Sequence, residues 1–229
     1  MSLPAALSER TLETLTTAIG LTVADDIALT SAMSPEPVGR LRVLRGDAID
    51  KAVTVDLVVP PIGLDSHMIF AFTGTDSAVP HFTLDSVYGG DYYAMHLDLI
   101  PRVDLGVNLE YLDAAFLPLT PVLESAWEID GVSPAAIGPR QRALMSPWMV
   151  VCRATETAFG ALGASVDAYL RHWLTLVDKG VPAVDADLPA RDLANRANLF
   201  SPQVDPVWAQ VTRLLGAEQS ERVRQELES

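Results

Sequence analysis

In the segment HFTLDSVY, residues 81–88, strict alternation puts His81, Thr83, Asp85 and Val87 on one face of a strand and Phe82, Leu84, Ser86 and Tyr88 on the other. The first face is the more polar and is where a pocket is expected, with the Phe82 and Leu84 face packed on a helical layer. A carboxyl group donates a proton near neutrality only where its surroundings raise its pKa, so such chemistry requires burial. Taken alone, Asp85 reads as a strand-end acid hydrogen-bonded near the Gly89-Gly90 turn. Asp205, followed by Pro206, reads by itself as a helix start, with Asp as N-cap and Pro at the first helical position. His67 and His96 titrate close to neutral pH and fit either proton relays or satisfied strand histidines. No two of the four histidines stand at a metal-ligand spacing with a nearby acid, which predicts no metal site.

The elements that position these groups are legible in outline. Residues 7–21 form an amphipathic pattern with Leu12, Leu15 and Ile19 on one side and Ser8 as a cap. A loop is expected around residues 34–37. From residue 40 to 99, LRVLRG, KAVTVDLVV, SHMIFAFTG, HFTLDSVY and YYAMHLDLI are short β-branched or aromatic runs divided by Gly, Asp and Pro. Their connections are too short for crossover helices, which predicts antiparallel pairing. Helical periods follow over residues 108–124, 134–145, 155–178, 188–199 and 206–214, with Pro118 and Pro121 interrupting the first. The order is one helix, a block of strands and a block of helices. It predicts an α+β fold, an α/β/α sandwich with a central, mainly antiparallel sheet flanked by helices.

A chain of 229 residues fits one domain, residues 1–229. No apolar run reaches the roughly 18–20 residues of a membrane span, and the first residues lack a basic flank leading into an apolar block. A cytoplasmic protein with no membrane partner is expected. The formal charge of −14 argues against nucleic-acid binding, which needs a basic surface. Cys152 is the single cysteine, so an intrachain disulfide or a cysteine-ligated cluster is excluded. Glycine-rich phosphate loops, GxSxG and HExxH are absent from the sequence.

Four segments in order carry a resemblance. LDLIPRVDLGVNLEYL, residues 97–112, is similar to the stretch of red chlorophyll catabolite reductases where a strand ending in LDL passes through a Pro and Arg-Asp turn into an Asn-x-Glu-Tyr-Leu helix. Pro80-x-Phe82-x-x-Asp85 resembles the strand that carries a pocket acid in ferredoxin-dependent bilin reductases. LMSPWMVVCRA resembles their Leu-Ser-Pro segment. Asp205-Pro206, followed by Arg213-x-x-Gly216, resembles their C-terminal pattern, on a loop across the pocket from the first acid. In the biliverdin-reducing relatives a His and a Glu on preceding strands complete the acid set. His67 lies near the His position with a one-residue offset, and no Glu matches.

This resemblance implies reduction of a linear tetrapyrrole, a bilin such as biliverdin or an open-chain chlorophyll catabolite. Electrons would come from reduced ferredoxin, with no cofactor held by the chain. Asp85 and Asp205 would be the proton donors and His67 a third catalytic group. His81, Thr83, His96, Arg102 and Arg153 are the expected substrate-binding residues. Arg102 would meet a propionate, or else pair with Asp104 to fix its turn. Ferredoxin docking calls for a basic patch, for which Arg40, Arg42, Arg45 and Lys51, or Arg140 and Arg142, are candidates. A carrier that binds a tetrapyrrole without reducing it is the alternative, and it would need neither acid.

Overall fold

The computed structural model describes residues 1–229. The first helix, α1 (Leu3–Ile19), begins earlier than the apolar period indicates, because Ser2 rather than Ser8 caps it. The Ser2 side chain accepts the Ala5 N–H at 3.2 Å, and Pro4 sits in the first turn, where no helical N–H is required. Gly20, at φ 66°, turns the chain out of the helix with a left-handed conformation that favours glycine.

Eight strands follow: β1 (Thr22–Ser31), β2 (Ser34–Arg45), β3 (Lys51–Val59), β4 (Leu64–Phe72), β5 (His81–Gly89), β6 (Tyr93–Ile100), β7 (Val132–Pro134) and β8 (Val150–Ala154). They form one antiparallel sheet in the order β1-β2-β3-β4-β5-β6-β8-β7. The five expected strands are the later part of β2 and β3 to β6. The loop expected at residues 34–37 is instead the start of β2, paired with the unforeseen β1.

One face of the sheet is a continuous apolar row system covered by α1 and by α5 (Glu156–Lys179). Phe82 and Leu84 are fully buried there, with the Phe82 ring 5.8 Å from Trp173 of α5. Between β6 and β7 lie α2 (Leu109–Ala115) and α3 (Thr120–Trp127), divided by a 3-10 turn where Pro118 interrupts the helix. The opposite face is covered by α6 (Leu188–Leu199), α7 (Val207–Leu215) and α8 (Ala217–Glu228), with α4 (Pro139–Leu144) alongside. The result is a sheet between two helical layers. No helix is long and apolar enough to cross a membrane.

A buried charged network pins α6 to the sheet. Asp192 accepts a hydrogen bond from His81 Nε2 at 2.8 Å, and Asp192 Oδ2 lies 2.9 Å from Arg196 Nε. Arg102 Nη2 stands 3.5 Å from the same carboxylate and donates to the Thr75 carbonyl, while its Nη1 donates to the Gly74 carbonyl. The Thr73 backbone N–H donates to His81 Nδ1 at 3.1 Å, which assigns a lone pair to that nitrogen and the proton to Nε2. The imidazole is therefore neutral. Burial pushes it down to about 4; the Asp192 hydrogen bond opposes that shift, and the neighbouring guanidinium charges assist it. Because the folded value lies below the ordinary 6.5, this group's stabilisation is present above pH 6.5 and is lost as pH falls through 4. The difference corresponds to about 3 kcal/mol. Urea unfolding at pH 7 and pH 4 should show the wild type losing about 3 kcal/mol more than His81→Gln; equal losses would contradict the assignment.

Candidate active site

The sheet face opposite α5 holds a cavity of about 230 Å³ beneath α6, α7 and α8. Register sets what lines it. Asp85 in β5 pairs with Met68 in β4 and with His96 in β6, and His96 pairs with Val151 in β8. The adjacent rows on this face bring in Phe70 with Thr83 on one side, and Leu57, Ser66 and Val87 on the other. Asp85 thus stands in mid-strand, surrounded by strands on both sides. The roof is supplied by Phe200, Trp208, Val211 and Val223, with Met145 and Gln141 at the side. Phe200 packs edge-on against Phe70 at 5.3 Å and against Trp208 at 6.4 Å, so the aromatic wall is held on the sheet by the same contacts that close the core.

Asp205 enters from the connection between α6 and α7, on the wall facing Asp85. Its Oδ1 accepts the Val207 N–H at 2.9 Å, which caps the start of α7, and its Oδ2 accepts from Gln141 Nε2 at 3.0 Å. Capping and cavity lining coexist in one carboxylate. Burial raises its pKa, and the Asp85 charge adds to the rise. His96 Nδ1 lies 3.5 Å from Asp85 Oδ2, while its Nε2 is buried without a protein partner. Burial alone would lower the imidazole, but the Asp85 hydrogen bond and the charges of Asp85, Asp98 and Asp205 outweigh it and raise its pKa. Two carboxylates and a protonatable imidazole thus meet across a mainly apolar space, an arrangement that can hold and hand over protons to an enclosed ligand.

Thr83, Asp85, His96 and Asp205 are brought together. His67 is not. The one-residue offset in its spacing puts it on the other sheet face, because a shift of one residue exchanges the faces of a strand, and Met68 takes the place opposite Asp85. There His67 lies under α1 between Asp56 (3.0 Å) and Asp65 (2.6 Å). Burial lowers the His67 imidazole, but those two partners outweigh it and raise its pKa.

His81 shares the face of Asp85 but lies two rows away under α6, engaged with Asp192. Arg102 is committed to the same carboxylate and to the loop at residues 73–75, and its expected pairing with Asp104 is replaced by these bonds. Arg153 is on the cavity's sheet face, opposite Ala94 and beyond the His96 row, with its guanidinium 4.4 Å from the centroid of Tyr92.

Of the basic candidates, Arg40, Arg42 and Arg45 pair with Asp26, Asp56 and Asp50, and Lys51 is buried. Arg140 and Arg142 are exposed on α4, on either side of Gln141 in sequence.

Gln141, Asp98 and Ser146 were not anticipated from sequence. Asp98 carried a usable signal, since it lies two residues from His96 and so on the same face. It is fully buried, and it accepts the Ser146 N–H at 2.9 Å and the Ser146 hydroxyl at 2.5 Å. Burial pushes its carboxyl up to about 6 against the opposing influence of His96 and Ser146.

No protein-family model matches the chain, and no curated protein matches it in sequence. Among solved structures, it is similar to selenomethionine-labelled phytochromobilin synthase from tomato in complex with biliverdin. The TM-score is 0.75 with 16% sequence identity, over 96% of this chain and 80% of that one. The likeness is one of fold.

Proposed function

We propose that this chain is a member of the ferredoxin-dependent bilin reductase superfamily, nearest its red chlorophyll catabolite reductase branch, and that it reduces a linear tetrapyrrole with electrons from reduced ferredoxin. The observation that carries this reading is the pair Asp85 and Asp205 on facing walls of one apolar cavity, in a fold similar to one solved with biliverdin. Apolar and aromatic walls suit a conjugated ligand, and carboxylates suit its pyrrole N–H donors. Adding two electrons to one double bond consumes two protons. A one-electron donor delivers the electrons in two steps, each balanced by a proton from an acid lining the cavity.

The cavity is smaller than the roughly 300–1,000 Å³ of typical small-molecule sites. A bilin would therefore extend past its mouth. No Lys or Arg lines the cavity, so ligand carboxylates would lie outside it, within reach of guanidinium groups such as Arg153. Arg140 and Arg142 are the cations best placed to meet an acidic electron donor, because the other candidates are paired or buried.

The test is to add biliverdin and then an open-chain chlorophyll catabolite to the purified chain, anaerobically, with a ferredoxin-regenerating system. Reduction appears as a blue shift of the long-wavelength visible band as conjugation shortens. A chromophore that binds and stays unchanged for both substrates would replace the reductase with the carrier.

A further inference from the structure

The chemistry proposed for the cavity uses Asp85 and Asp205, and it leaves Asp98 unexplained. This side chain is fully buried, and Ser146 supplies it with two neutral hydrogen-bond donors. No lysine or arginine makes an ion pair with it. A buried carboxylate without a countercharge is costly, and structures retain one where a neighbouring group supplies the missing positive charge. The titratable neighbour on the same strand and face is His96, whose Nδ1 faces Asp85 and whose Nε2 has no protein partner.

We infer that Asp98 is a positioning residue that keeps His96 cationic beside Asp85, so that the His96–Asp85 pair is a proton store built into the sheet wall of the cavity. The use of the stored proton in reduction rests on the reductase reading; the store itself does not. Burial disfavours the His96 cation, and the carboxylates around it outweigh that cost. Asp85 on β5, Asp98 on β6 and Asp205 in the α6–α7 connection bring three carboxylates; Val151 on β8 and Gln141 on α4 bring no charge, and the cation on this face of β8, Arg153, stands one row further on against Tyr92. The raised His96 and the Asp98 value of about 6 define a window, above pH 6, in which both groups are charged.

In use, the imidazolium passes its Nδ1 proton to the Asp85 carboxylate, leaving neutral His96 and a carboxylic acid. Asp85 then gives that proton to the tetrapyrrole atom whose electron density has risen with one electron from the reduced donor. One electron and one proton enter together, and the pair is reloaded from solvent before the second electron.

Imidazole NMR titration of the ligand-free chain tests the store directly, with the His96 signal assigned by its loss in His96→Gln. The wild-type signal should titrate above 6.5. Asp98→Asn keeps an acceptor for Ser146 but removes the charge, and it should lower that value by about one unit, a tenfold change in proton affinity. Ser146→Ala should lower it by less, by weakening the anion of Asp98. A wild-type value at or below 6.5, or an unchanged value in both variants, overturns the inference. If the bilin is reduced, the alkaline limb of kcat against pH should move down with the imidazole in Asp98→Asn. An imidazole that shifts while no bilin is reduced leaves the store standing and removes only the reductase.

Discussion

Asp85→Asn should still bind a bilin while reducing it about 10²- to 10⁴-fold more slowly, the span ordinarily lost with a general acid. The substitution is nearly isosteric, so the row Met68, Asp85, His96 and Val151 keeps its register and the cavity its walls. The variant loses a proton that can leave. An amide can accept from a pyrrole N–H but does not protonate a reduced tetrapyrrole, so the first electron should enter and the intermediate should persist as a radical visible by its absorbance and by electron paramagnetic resonance. Rapid mixing under anaerobic conditions separates binding amplitude from reduction rate. Full turnover in Asp85→Asn would remove this residue from the mechanism and leave Asp205 and His96 as the donors.

The second large effect is on folding. Asp192→Ala should cost about 3–5 kcal/mol, the usual penalty for removing one partner of a buried ion pair. Asp192 is 3% exposed and serves three groups, His81, Arg102 and Arg196, of which the two guanidinium groups cannot discharge by losing a proton. Arg196 lies over the Phe72 ring at 4.2 Å and cannot swing to water without opening the contact between α6 and the sheet. Set against a typical total of roughly 5–15 kcal/mol, that is about a third or more of the stability of most domains. Urea unfolding at neutral pH measures it. A change under about 1 kcal/mol would show that water enters and screens the network.

The sequence is most informative where pattern and burial coincide. Five runs between residues 40 and 99 became strands, and residues 188–199 became a helix with those bounds. The α+β sandwich follows from that order. Three strands escaped for physical reasons: β1 carries the adjacent acids Asp25 and Asp26, which break its alternation, while β7 and β8 are three and five residues long. The last helix, AEQSERVRQELE, hides its few buried residues, Ser220, Val223 and Leu227, among charges.

Alternation alone placed Thr83 and Asp85 correctly on the face of the cavity. It also placed His81 on that face, but the arrival of Asp192, 111 residues later, decided that residue's role. For His67, position along the chain mattered less than parity, since an offset of one residue was enough to exchange its faces. Gln141 entered the site through the packing of α4 beside the α6–α7 connection, which no local pattern encodes.

The two ends of the sheet govern how this molecule behaves among its own copies. An outer strand offers a row of free N–H and C=O groups on which another chain can template itself. Here one margin is β1, where Asp25 and Asp26 sit side by side and Arg40 and Arg222 reach them from within the same chain. An incoming identical strand would have to seat beside these exposed ion pairs, which leave a charged and not an apolar margin. The other margin is β7, three residues ending in Pro134, which has no N–H to offer. Both margins therefore carry features that discourage an added strand.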